Sequence, residues 1–291
     1  MTTSAFEYHA PASAAEAAEL LAKHGEDAKL LAGGHSLVPL MKLRLARPQV
    51  LIDLGKIATM SYIREQDGGL AIGAMTRYVE LETSDLVKGH APVLAEAAGI
   101  VADPQVRNMG TIGGSLAHAD PAADLPAVAL ALGARIITSA TGSHRTIDAD
   151  DFFVDLLTTA LEPTEILSEI VIPALTPGTG TAYAKFANKA SHYAIVGVAA
   201  VVSVGSDGTC QEARIGVTGA GPKPVRATQA ESALKGRKGR KLDDAAITSA
   251  AEKAGAGIDF NEDVHASGEY RAHLTKVYAA RAIRAAVSRA S

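Results

Sequence analysis

The chain has 291 residues, 47% hydrophobic and 21% charged, with one cysteine and no tryptophan. At about 100–200 residues per domain, this length predicts two domains with a core each, and the hydrophobic content excludes a wholly disordered chain. Twenty-eight Lys and Arg against 32 Asp and Glu give a net charge of −4, which excludes a polyanion-binding signature and makes nucleic acid an unexpected partner. The lone Cys210 excludes a disulfide scaffold, a cysteine-ligated zinc site and an iron–sulfur cluster held by this chain alone. Redox chemistry would therefore need a bound organic cofactor or a partner.

Met1 to Glu7 shows no basic region followed by an apolar run, so no signal peptide is expected. The longest apolar stretch without Asp, Glu, Lys or Arg runs from Ala190 to Ser206. It is too short, and too polar at one end, to span a bilayer. Its β-branched residues predict a buried strand. The expected protein is soluble and cytoplasmic.

Ser13 and Glu16 form a capping box that opens a first helix, with Ala17, Leu20, Leu21 and His24 on one face. Lys29–Leu31 is a short strand running into Gly33-Gly34. Gln49–Leu54 and Leu70–Ala74 are two more strands, the last preceded by the turn Asp67-Gly68-Gly69. Pro92–Val101 is a helix with proline in its first turn, and Asp124–Leu132 a short apolar helix closed by Gly133. Strand Ile166–Ile172 stops at Pro173, and Ala174–Thr181 is the best linker candidate. Strands at Tyr183–Phe186, Ile195–Val204 and Glu212–Val217 follow, the last two joined as an antiparallel hairpin through Ser206-Asp207-Gly208. Helical patterns then dominate, ending with Tyr270, Leu274, Tyr278, Ala282 and Ala285 at helical spacing. This order predicts an α+β chain with a boundary near residue 176.

Two passages concentrate the chemistry: Ala32-Gly33-Gly34-His35-Ser36 and Thr111-Ile112-Gly113-Gly114-Ser115. Paired glycines allow a tight backbone path, with N–H groups that a phosphate can approach closely, and each passage ends in a hydroxyl. Two such loops would grip the two phosphates of one dinucleotide. Either loop alone reads far more readily as an ordinary turn than as a phosphate cradle. The chain contains no Gly-x-Gly-x-x-Gly and no Gly-x-x-x-x-Gly-Lys-Ser/Thr, so neither a nicotinamide-type Rossmann site nor a P-loop is supported.

Three runs carry a family resemblance: Leu31-Ala-Gly-Gly-His-Ser-Leu-Val-Pro-Leu-Met-Lys42, Met109-Gly-Thr-Ile-Gly-Gly-Ser115 and His118-Ala-Asp-Pro-Ala-Ala-Asp-Leu-Pro126. With these, nearly the whole chain resembles the medium, FAD-binding subunit of molybdenum hydroxylases of the carbon monoxide dehydrogenase type, related to the flavin domain of xanthine dehydrogenases. The resemblance implies a two-subdomain FAD-binding fold of the vanillyl-alcohol oxidase/PCMH type over residues 1–176. A smaller domain of three antiparallel strands with helices would occupy 177–291.

By the same resemblance, Ala32, Gly33, Gly34, His35 and Ser36 wrap the FAD pyrophosphate together with Thr111, Ile112, Gly113, Gly114 and Ser115. Asp124 bonds ribityl or ribose hydroxyls, although on pattern alone it reads as a helix N-cap. Leu167 brings its backbone to the flavin or adenine; by pattern it is a buried strand leucine. Lys185 stands near the isoalloxazine, where a cation favours the reduced anionic flavin; otherwise it is a solvated strand lysine. Tyr193 covers one flavin face, or is merely packing. Many relatives carry Asn where this chain has Ser115, a change that bears on redox tuning. Despite the Gly-Gly-His at His35, the implied FAD is non-covalent.

The implied role is electron transfer. A molybdopterin large subunit would oxidise the substrate, carbon monoxide first among the candidates and aldehydes, purines or N-heterocycles the others. A small subunit would relay electrons through two [2Fe–2S] clusters, in a dimer of heterotrimers, and the external acceptor would be a quinone, oxygen or NAD. Two alternatives remain. One is a stand-alone FAD oxidase or reductase of the same superfamily; the other is a structural module without flavin. The basic run Lys235-Gly-Arg-Lys-Gly-Arg-Lys241 reads as a solvated loop or a partner-facing segment.

Overall fold

The computed structural model describes residues 2–235 and 242–290. The basic run from Gly236 onward lies outside the described residues. Among the described residues, three larger sheets carry the chain, with a two-stranded ribbon of Phe153–Asp155 and Thr158–Thr159 beside them. Strands Glu7–His9, Val50–Asp53 and Ala28–Leu31 form a parallel sheet in that spatial order. An antiparallel sheet of five strands follows, ordered Ile63–Gln66, Gly69–Gly73, Ile166–Ile172, Arg135–Ala140 and Ser143–Asp148. The third sheet is antiparallel, with strands Thr179–Ala187, Ala194–Val204 and Cys210–Thr218, and it adds a fourth, two-residue strand, Val225–Arg226. The expected three strands are thus present; the fourth is too short for a periodicity signal.

Local chemistry explains the helix ends. Ser13 Oγ accepts the Glu16 N–H at 3.1 Å and caps helix Ala14–His24, but Glu16 turns its carboxylate to the Ala12 N–H rather than to Ser13. The expected capping box is therefore half reciprocal. Helix Asp124–Leu132 ends as read, with Gly133 at φ +63°, the left-handed cap that lacks a Cβ penalty. Every residue of this helix is buried.

That helix joins the two halves. A Cβ on Gly216 would lie 2.0 Å from the Ala127 carbonyl oxygen, so only glycine lets the third sheet lie directly on the helix backbone. The turn before the helix is held from the same sheet. Thr218 Oγ1 donates to the Pro121 and Ala123 carbonyls at 2.7 and 2.8 Å, and the Ala194 N–H reaches Ala122 at 3.2 Å. The long helix Gly268–Arg289 covers the other face of that sheet, where Gly180 leaves room for the Ala286 carbonyl. Its buried residues are Arg271, Leu274, Thr275, Ala279, Ala282, Ile283 and Ala286. Tyr270, expected on this stripe, is instead exposed, with its ring meeting Phe186 of the sheet edge-to-face. No helix among the described residues is long and apolar enough to cross a membrane.

Candidate functional site

The two glycine passages, far apart in sequence, meet in space. A Cβ on Gly33 would lie 2.2 Å from the Met109 carbonyl oxygen and 2.8 Å from Gly110 Cα. One on Gly114 would sit 3.5 Å from Ala32 Cβ. The first passage is an open turn. Gly34, at φ +74°, carries the chain from strand Ala28–Leu31 into helix Leu37–Lys42, a conformation that a side chain strains. Among the described residues, the N–H groups of Gly33, Gly34, His35 and Ser36 have no acceptor within the protein. Four successive donors are therefore open to an anion. The exposed His35 bends back, its Nδ1 3.0 Å from the Gly33 carbonyl oxygen.

The second passage is not the loop that its glycines suggest. Thr111 caps helix Ile112–His118, its hydroxyl accepting the Gly114 N–H at 3.1 Å. The N–H groups of Ile112, Gly113 and Ser115 go to the carbonyls of Thr76, Ala74 and Thr111. Only the Thr111 N–H lacks an acceptor from there to Ser115. These glycines serve close packing instead, since a Cβ on Gly113 would meet Ala74 Cβ at 2.5 Å. The expected row of free donors thus belongs to the first passage alone. The N–H groups at a helix start are ordinarily left without intrahelical partners, but here the Thr111 cap and the turn at Ala74–Thr76 take them up.

Around these passages lies a cluster of hydroxyls with one buried ion pair. Burial pushes the Tyr78 phenol up to about 12, with the nearby Ser115 hydroxyl opposing. Tyr193 is 43% exposed, and its phenol is raised by partial burial and then by Asp120, with the Ser36 hydroxyl opposing. Asp124 is the first residue of its helix, but Ala123 holds the N-cap position and no side chain caps it. The N-cap alternative for Asp124 is therefore overturned. Its carboxylate turns inward, accepting from the Tyr183 hydroxyl at 2.6 Å and from the Lys185 ammonium at 3.0 Å.

Burial works to raise the Asp124 carboxyl, and the adjacent Lys185 and Tyr183 oppose it. Burial also raises the Tyr183 phenol well above its usual range, with Asp124 adding to the effect. Lys185 is not the solvated strand lysine of the alternative reading: its side chain is 4% exposed. Removing either member of such a pair leaves a buried charge uncompensated, at a cost of about 3–5 kcal/mol. Tyr183 escaped the sequence reading although its signal was there. Period two along strand Thr179–Ala187 puts Tyr183 and Lys185 on one face.

Leu167 adds no polar side chain to this cluster. It is buried in strand Ile166–Ile172 opposite Thr138, and the carbonyl of its neighbour Ser168 accepts the Ala74 N–H. His118 and Asp120 form no ligand set. Ala119 between them is left-handed at φ +51°, and Asp120 accepts the Ala122 N–H at 2.8 Å. No group of three or more His, Cys, Asp or Glu among the described residues is arranged to hold a metal ion.

A glycine turn with four open N–H groups, a hydroxyl at the end of each passage and a buried cation beside them fits a dinucleotide with an anionic linkage. Known proteins define the class. Residues 4–175 match the family described as FAD binding domain in molybdopterin dehydrogenase, and residues 181–286 match the CO dehydrogenase flavoprotein C-terminal domain. The chain belongs to the FAD-binding subunit family of the molybdenum hydroxylases, which are oxidoreductases.

Within that family it is 42% identical over 284 residues to the carbon monoxide dehydrogenase medium chain of Hydrogenophaga pseudoflava, covering 98% of each. It is 39% identical over 290 residues to the 6-hydroxypseudooxynicotine dehydrogenase complex subunit alpha of Paenarthrobacter nicotinovorans, covering 100% of this chain and 97% of that one. The solved carbon monoxide dehydrogenase of H. pseudoflava that lacks the Mo-pyranopterin moiety contains a chain of the same fold. Its TM-score is 0.96, with 43% identity and complete coverage of both chains.

Proposed function

We propose that this chain is the electron-transfer subunit of a cytoplasmic, three-subunit molybdenum hydroxylase, assembled as a dimer of heterotrimers. Electrons reach it from the [2Fe–2S] clusters of a small partner and leave to a quinone, oxygen or NAD. Molybdopterin belongs to a large partner. The observation that carries this reading is the first glycine turn, with its four unpaired N–H groups lying on the backbone that leads into the second passage.

Bound FAD supplies a redox centre able to exchange electrons singly or in pairs. The N–H groups of Gly33 to Ser36 and of Thr111 receive its diphosphate, with the Ser36 and Ser115 hydroxyls as further donors. Ala32, Ile112, Gly113 and Gly114 keep the two backbones close enough to act together. Asp124 retains acceptor capacity on both oxygens for a sugar or ribityl hydroxyl. Leu167 contributes backbone at the edge of the site. Lys185 lends positive charge that favours the reduced cofactor, and the Tyr193 ring shields one face of it. No covalent bond to His35 is part of this reading. The division into residues 1–176 and 177–291 is likewise proposed, and the break between strands Ile166–Ile172 and Thr179–Ala187 supports it.

Carbon monoxide is the proposed substrate of the assembly, since medium chains named for carbon monoxide dehydrogenase are 42% and 41% identical to this chain. The 39% identity to a 6-hydroxypseudooxynicotine dehydrogenase subunit favours an N-heterocycle as the second reading. The test is purification of the native assembly, with flavin, iron and molybdenum assayed against each chain. Anaerobic carbon monoxide should bleach the flavin absorbance; bleaching only by 6-hydroxypseudooxynicotine selects the second reading. A yellow chain that purifies alone and is reduced directly by a small substrate would defeat both.

A further inference from the structure

Lys185 is a buried cation whose donors are all committed. An ammonium has three N–H bonds to give, and each finds an acceptor on a different part of the chain. They are Asp124 Oδ2 at 3.0 Å, the Ile100 carbonyl at 2.9 Å just past helix Pro92–Gly99, and the His192 carbonyl at 2.9 Å. The last contact bears on Tyr193. The turn from Asn188 to Tyr193 is closed by the Asn188 N–H on the Tyr193 carbonyl at 2.8 Å and by the His192 N–H on the Asn188 carbonyl at 2.9 Å. Within the turn, Asn188 Oδ1 accepts the Ala190 and Ser191 N–H groups at 2.8 and 3.2 Å. His192 sits at φ +62°, a backbone conformation that non-glycine residues hold only under constraint. Lys185 anchors that constraint from outside the turn.

We infer that Lys185 is a positioning residue for Tyr193. By tying the His192 carbonyl to Asp124 and Ile100, it sets where the Tyr193 ring stands, and it acts on flavin binding through that ring. This role rests on the FAD reading of the site. It differs from direct donation to the cofactor, which would require a donor left free. It also gives the Asp124–Tyr183 bond a purpose, since that bond fixes the carboxylate against which Lys185 is braced.

The test is a double-mutant cycle read as FAD dissociation constants, measured by quenching of flavin fluorescence on the full chain. Lys185→Met should weaken binding about tenfold in the Tyr193 protein and by less than about twofold in the Tyr193→Ala protein. Equal factors in both backgrounds would overturn the inference. Loss of the lysine could also unfold the chain. Asn188→Ala covers that outcome, because it loosens the same turn while leaving the buried pair intact, and it should show the same dependence on Tyr193.

A third readout needs no flavin. The seven tyrosines are free of tryptophan absorbance, so their ionisation can be followed in the ultraviolet. Partial burial and the Asp120 charge hold the phenol of the half-exposed Tyr193 up. In Lys185→Met, and likewise in Asn188→Ala, one tyrosine should titrate at lower pH, and Tyr193→Ala should abolish that change. An unmoved curve would overturn the inference. If the chain bound no FAD, the functional reading would fail, while this titration would still decide the positioning role.

Discussion

Replacing Gly33 by alanine tests the meeting of the two glycine passages. The new Cβ would start 2.2 Å from the Met109 carbonyl oxygen and 2.9 Å from its carbon. Ordinary contact begins at 3.4 Å, so the opposing backbone must withdraw by about 1.2 Å. It has little freedom to do so. Gly110 is held by its N–H on the Val106 carbonyl at 2.7 Å and by its carbonyl on the Tyr78 N–H at 3.0 Å, and the Tyr78 ring closes its other side. Overpacking of this kind costs about 1–3 kcal/mol. If the strain moves the open N–H groups, FAD binding should fall at least about tenfold, the equivalent of roughly 1.4 kcal/mol.

Urea denaturation and flavin fluorescence titration read the two effects separately. Gly89→Ala is the control, because nothing lies within 4 Å of its Cβ in helix Asp85–His90. It should leave FAD binding alone and stabilise by about 0.4–1 kcal/mol. A Gly33→Ala chain with unchanged urea midpoint and unchanged FAD affinity would refute the reasoning.

Three further outcomes follow from the buried polar groups. Tyr183→Phe removes the partner of Asp124 Oδ1 inside the protein and should cost about 1–3 kcal/mol in urea unfolding; no loss would mean that the bond contributes nothing. Arg145, together with the Glu162 N–H and Thr138, holds the Glu165 carboxyl down from 4.5 to about 2. A depressed carboxyl stabilises fully above its unfolded value and loses that contribution as pH falls from 4.5 toward 2. Glu165→Gln should therefore flatten the acid limb of the stability curve over that window, and an identical limb in both chains would contradict the assignment. Burial raises the Cys210 thiol to about 11. Ellman's reagent should label the native chain slowly and take up one equivalent on unfolding; rapid native labelling would show that Cys210 is not enclosed.

Much of the fold was legible in local pattern. Helix Asp124–Leu132 and strand Ile166–Ile172 have the bounds expected from apolar runs stopped by Gly133 and Pro173. Other elements were not legible. Helix Ile112–His118 hides behind two glycines that locally argue for a turn. Its N–H groups are satisfied by Thr76 and Ala74 from a distant segment, which no window along the chain can show.

The sequence alone determined the division of labour. With one cysteine and two Gly-Gly passages, the chain is suited to an organic cofactor rather than to metal clusters, because ligand chemistry depends on which residue types are present. Tertiary structure decided what each residue does. It left the N–H groups of the first passage open and consumed those of the second. It also turned Asp124 away from its helix end and drew Lys185 out of solvent to join three segments. Burial and hydrogen-bond partners come from segments far apart in the chain, and spacing along the sequence does not encode them.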